Sequence, residues 1–76
     1  MKKEIDLSSM AARWPSSHVA REKIGEFTGG IITPKTLANL DSAGDGPHGR
    51  ITIGRKIAYP VAELISWLES RAIKRG

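Results

Sequence analysis

Apolar positions near the end of the chain recur as Val61, Leu64, Ile65, Leu68 and Ala72. That i, i+3, i+4, i+7, i+11 spacing predicts an amphipathic helix over residues 60–73. Tyr59-Pro60 opens it, and Trp67, at the edge of the stripe, is expected to cover the hairpin or the first helix. Upstream, Arg50–Tyr59 alternates at period two, with Ile51 and Ile53 on one face and Arg50 and Thr52 on the other. Gly54-Arg55 fits a two-residue turn of the glycine-first type, which puts Arg55 and Lys56 at the protruding end. Thr33-Pro34 is a helix start: threonine caps free amides, and proline at the first helical position loses no hydrogen bond. The helix over 33–43 turns Leu37 and Leu40 inward and sets Lys35, Asn39 and Ser42 opposite, with Thr36 on the flank. Gly44 stops it, and residues 45–49 form a loop. Ser16-Ser17 offers an N-cap for a further helix over 18–26, whose Val19, Ala20, Ile24 and Phe27 share an arc of roughly 140°. Thr28-Gly29-Gly30 breaks that helix, and Ile31-Ile32 are expected to enter the core. Met10 and Trp14 fit one helical turn ended by Pro15, with Trp14 read as a core staple rather than a base-stacking residue. The chain thus divides into an arm over 1–14 and one domain over 15–76.

Seventy-six residues permit one small core, and no cysteine is present to brace it. The lack of cysteine excludes thiolate metal sites and a cysteine nucleophile, and it suits a reducing compartment. No apolar run approaches the ~20 residues that span a bilayer. Lys2-Lys3 is followed by Glu4 and Asp6 without a hydrophobic stretch, so it does not read as a secretory signal. The expected location is the cytoplasm, in association with the nucleoid, with no membrane partner. Charge changes the picture by its placement. Residues 1–49 carry six basic and six acidic side chains and cancel, whereas residues 50–76 carry six basic and two acidic, so the whole net +4 lies there. A segregated positive field attracts polyanions.

The predicted order is helix, glycine-containing turn, helix, basic hairpin, helix. The first two helices match a helix-turn-helix in length and turn chemistry, so the expected fold is mainly α with a small β-hairpin wing. In a major groove, the second helix would present Lys35, Asn39 and Ser42, with Thr33 and Thr36 near its N-terminus. Lysine donates to guanine, asparagine makes a bidentate pair with adenine, and Thr and Ser reach phosphates or base edges. A solvated polar helix face has the same residue types, and on those alone it is the commoner explanation. The adjacent Arg55 and Lys56 at a turn favour nucleic acid, as a clamp along a phosphate backbone or in a minor groove. Arg50 at the hairpin base, and Arg71, Lys74 and Arg75 at the chain end, are further phosphate candidates, although cations also suit a helix C-terminus through its dipole. Four to six such contacts would give a log–log salt slope of roughly −4 to −5.

The stretches Thr33-Pro-Lys-Thr-Leu-Ala-Asn-Leu-Asp41, Gly44-Asp-Gly-Pro47, Ile53-Gly-Arg-Lys-Ile-Ala-Tyr-Pro60 and Val61–Leu68 resemble small winged helix-turn-helix proteins of phages and integrative elements. These are the excisionase-like (recombination directionality) proteins and prophage regulators, similar to the DNA-binding head of MerR-type regulators. The resemblance covers about residues 17–70. It implies recognition of double-stranded DNA by the 33–43 helix, backbone contact by the 54–57 wing, an integrase as partner, and cooperative self-association of copies on bent DNA. It implies no cofactor and no small-molecule effector. Family members often carry Arg or Trp after the Thr-Leu pair, whereas this chain has Ala38-Asn39-Leu40, so a base preference does not transfer. Excisionase and prophage-type transcriptional regulator both remain open, and a small protein–protein adaptor docking through Met10 and Trp14 is the competing class. Catalysis is not expected, because its candidates are thin. His18 and His48 are the only histidines; Asp45-x-x-His48 is a weak metal or acid–base signal, and Ser16-Ser17-His18 reads better as a helix cap than as a nucleophile and base.

Overall fold

The computed structural model describes residues 5–72. Among them the elements run α1 (Ser9–Arg13), β1 (His18–Ala20), a 3-10 turn (Arg21–Lys23), α2 (Ile24–Thr28), α3 (Pro34–Ser42), β2 (Ile51–Ile53), β3 (Lys56–Pro60) and α4 (Val61–Arg71). The three strands form one antiparallel sheet in the order β1-β3-β2. Val19, Ile24, Leu37, Tyr59 and Leu64 are fully buried and are joined by Phe27, Ile65 and Leu68. Burying each such large apolar side chain contributes about 1.5–3 kcal/mol, which makes this small cluster the main source of cohesion.

The two helices with the plainest end signals form as expected. The Thr33 hydroxyl accepts from the Thr36 amide at 3.1 Å with Pro34 at the first position, and the helix closes on Asp45 N to Leu40 O (2.9 Å) and Gly44 N to Asp41 O (3.1 Å). In α4, Leu64, Ile65 and Leu68 are buried along the predicted stripe, and the Val61 amide donates to Ser17 O at 2.9 Å. Trp67 makes a different contact from the one expected: its indole nitrogen donates to Asp45 O at 2.7 Å, anchoring the loop after α3.

The expected helix over 18–26 does not form as one element. Residues 18–20 are a strand paired with β3, Val19 lying opposite Tyr59, and only Ile24–Thr28 is α-helical. β3 is the central strand and needs a partner on each side, and Val19 fills a core position opposite Tyr59. Local helix propensity yields to that pairing. Trp14 secures the entry to β1 by donating to His18 O at 2.9 Å and packing edge-on against Phe27, at 5.3 Å between ring centres. It is a core staple, as the spacing predicted. Met10, Ala11 and Leu7 also pack against the core, and the Leu7 amide donates to the Glu69 carboxylate at 2.8 Å.

The hairpin has the predicted turn. Gly54 has φ of 62°, and among the described residues no non-glycine has positive φ, as a glycine-first two-residue turn requires. Its two faces are those of the alternation, and the isoleucine face of β2 is the uncovered one. Thr52 is paired with Ile57, on the side of Val19 and Tyr59, whereas Ile51 and Ile53 are paired with Ala58 and Lys56 and point away from the core. The period-two alternation holds, but the register with β3 decides which set is covered, and Ile57 and Tyr59 occupy the core side. Ile31 is 71% exposed, with Ile32 alone of that pair packing on the core. The buried Thr28 hydroxyl donates to Ile24 O at 2.8 Å and accepts from the Ile32 amide at 3.2 Å, which fixes the α2–α3 turn so that only one isoleucine can face inward.

Candidate nucleic-acid interface

Along α3, Lys35, Asn39 and Ser42 are all exposed, at i, i+4 and i+7 of one helix, and their side chains have no partner among the described residues. Thr33 and Thr36 have internal roles. Besides capping the Thr36 amide, the Thr33 hydroxyl donates to Thr36 Oγ1 at 3.0 Å, which leaves the Thr36 hydroxyl its own proton to donate outward. Pro34 has no amide hydrogen and the Thr36 amide is capped, so the Lys35 amide is left for an external acceptor at the positive end of the helix.

The hairpin tip lies beside that same end. Pro34, Arg55 and Lys56 line one groove together with Ala20, Arg21 and Glu22. Arg55 is exposed and has no partner among the described residues. Lys56, read from sequence as a free clamp, forms an ion pair and hydrogen bond with Glu22 of the 3-10 turn. That hydrogen bond and the ammonium charge hold the Glu22 carboxyl below its ordinary range. The pair is exposed on both sides, so it ties β3 to the 3-10 turn only loosely.

Behind α3 lies a polar hub. The Asp41 side chain is 4% exposed, and its Oδ2 accepts from Arg21 Nη2 and from the Tyr59 hydroxyl, each at 2.5 Å. Arg21 Nε also donates to the Tyr59 oxygen at 2.9 Å, closing a triangle. Burial, and then the hydrogen bond to Asp41, push the Tyr59 phenol up to about 12. Burial works against the Arg21 charge, but the bonds to Tyr59 and Asp41 outweigh it and leave its affinity for the proton raised. Arg50, read as a phosphate contact, has its guanidinium 3.4 Å from Asp41 Oδ1 while its side chain stays 50% exposed. Gly46 makes this arrangement possible, since a Cβ there would stand 1.9 Å from Asp41 Oδ1.

Arg71 does not line the groove at the hairpin tip. It lies over the Trp67 ring at 5.2 Å and borders a separate apolar groove with Leu7, Met10 and Ile31. Lys74 and Arg75 lie outside the described residues. The structure therefore brings Arg55 and Lys56 into a groove with Pro34 at the α3 N-terminus, where Lys35 is the second helical residue, keeps Asn39 and Ser42 further along the same helix, and holds Arg50 to Asp41. Arg21, Glu22, Asp41 and Tyr59 are the participants that pattern reading missed. Their one sequence signal is a carboxylate next to Leu40, a position expected inward although α3 buries only Leu37, and such a carboxylate must find a cation if it is buried.

Neither the family models nor the curated proteins give a match to this chain. Among the described residues no helix is long and apolar enough to cross a membrane, and no group of three or more metal-ligating side chains converges.

Proposed function

We propose that the chain is a sequence-specific double-stranded DNA-binding protein with a winged helix-turn-helix fold. In this reading α2 and α3 are the two helices of the motif, α3 reads the major groove, and the β2–β3 hairpin is the wing. The observation that carries it is the groove shared by the α3 N-terminus and the hairpin tip, with Lys35 and Arg55 free beside it. One polyanion lying along that groove can meet the helix end and the basic tip together. On the resemblance described above, the biological role is that of an excisionase assisting an integrase, with a prophage-type transcriptional regulator as the alternative. The adaptor reading has less support, because the indole of Trp14 is bonded to His18 and its ring packs on Phe27.

A gel shift on random duplex DNA at low and moderate salt tests the class. Binding that weakens with salt, and weakens further in Arg55→Ala plus Lys56→Ala, is expected; no binding at low salt would refute it. Against a cognate site, Lys35→Ala or Asn39→Ala should cost about 1–3 kcal/mol; Asn39→Ala should spare scrambled sites, whereas Lys35→Ala also removes a cation and weakens them. Stimulation of excision by the matching integrase then separates the excisionase role from the regulator.

A further inference from the structure

Two of the three large apolar side chains most exposed among the described residues, Ile51 (40%) and Ile53 (68%), stand on the outward face of the hairpin. Ile53 is the last residue before the Gly54-Arg55 turn and lies directly across from Lys56. Lys56 sends its ammonium to Glu22, and the isoleucine beside it remains mostly uncovered. An apolar side chain at the tip of a tight, two-residue turn is rigidly presented, and two residues on stands Arg55, exposed and without a partner among the described residues. That setting selects the occupant. A second copy paired antiparallel along the short β2 edge would set the cationic tip of one strand beside the Arg50 end of the other, which is unfavourable. A polyanion with an apolar interior fits instead: its negative groove meets Arg55, and sugar walls and base steps meet the isoleucine.

Resting on the DNA-binding reading above, we infer that Ile53 is a wedge residue: the hairpin tip enters a minor groove with Arg55 toward its negative floor and Ile53 against a base step, which it unstacks. Apolar wedges of this kind kink a duplex by roughly 20–90°, and pyrimidine–purine steps such as TA yield most readily. Ile53 thereby acts in deforming the DNA, separately from the bases that α3 reads.

The test uses the full chain and a duplex with a central TA step, labelled at both ends, with bending read by energy transfer at saturating protein. Wild type should bring the ends closer on this duplex and less so on one made only of G·C pairs. Ile53→Ala should still bind, within about tenfold of wild type, while losing at least half of the bend; Ile53→Leu should keep it. Because Ile53 is 68% exposed, its truncation leaves the core intact, which a thermal melt verifies. A bound Ile53→Ala complex bent like wild type, or wild type that binds without bending, would overturn the wedge and leave DNA binding standing. A free dimer that Ile53→Ala dissociates would also overturn it, by showing a second copy on this face. Wild type that binds no duplex at low salt would sink both readings together.

Discussion

A carboxylate withdrawn from water is stable only where the chain surrounds it with donors, and Asp41 draws its donors from Arg21, Tyr59 and Arg50. The carboxylate and its three donors come from four different segments, so one side chain ties the end of α3 to the 3-10 turn, to β3 and to the approach to β2. Removing the carboxylate leaves Arg21 and the Tyr59 hydroxyl without their acceptor. Asp41→Ala should therefore destabilise the fold by about 3 kcal/mol in denaturant unfolding, whereas truncating the exposed Ser42 beside it should change stability by about 0.5 kcal/mol or less. Tyr59 adds a pH signature. Its phenol is raised from 10.0 to about 12 by burial first and by Asp41 second, so the fold favours the neutral form. That contribution is fully present below about pH 10, the unfolded value, and is lost as pH rises through the folded value. Unfolding of wild type and Tyr59→Phe between pH 8 and pH 12 should show the wild-type advantage shrinking across the upper part of that range. A difference that stays constant with pH would contradict it.

At the scale of elements, α3 and α4 were legible because each is specified locally: a Thr-Pro start and Gly44 stop for one, a five-residue stripe for the other. β1 was not legible, because its three residues form a strand only through pairing with β3, whose own position depends on the distant hairpin. The outward turn of Ile51 and Ile53 was hidden for a related reason, since alternation defines two faces and tertiary register alone chooses between them. Among the candidate site residues, the α3 face was read directly from helical spacing. The engagement of Lys56 by Glu22 was not, because the two are 34 positions apart. That pair gives the next prediction. On the proposed DNA-binding face Glu22 both occupies Lys56 and repels phosphate, so Glu22→Gln should tighten binding to any duplex by roughly two- to fivefold at low salt. Titrations on cognate and scrambled DNA check this, and unchanged or weaker binding to both would show that Lys56 takes no part.

For the molecule as a whole, what matters is how many cations one face can offer at once. The charge map alone suggested four to six phosphate contacts, but the fold divides those residues. Lys35 and Arg55 are free beside the α3 N-terminus, Lys56 is shared with Glu22, Arg50 is held by Asp41, and Arg71 borders a different groove. Counted over the described residues, two phosphates neutralised by one molecule give a log–log salt slope of roughly −2, and recruiting Lys56 takes it to roughly −3. The slope expected for a single bound copy is therefore shallower than the roughly −4 to −5 that counting cations along the chain implies. Glu22→Gln should steepen it by about one by releasing Lys56, Arg55→Ala should flatten it by about one, and Arg71→Ala should leave it unchanged. Binding isotherms at four or more salt concentrations, on a duplex short enough for one copy, measure all three. A single-copy slope of about −4 or steeper, flattened by Arg71→Ala, would mean that the DNA wraps beyond the groove onto the last turn of α4.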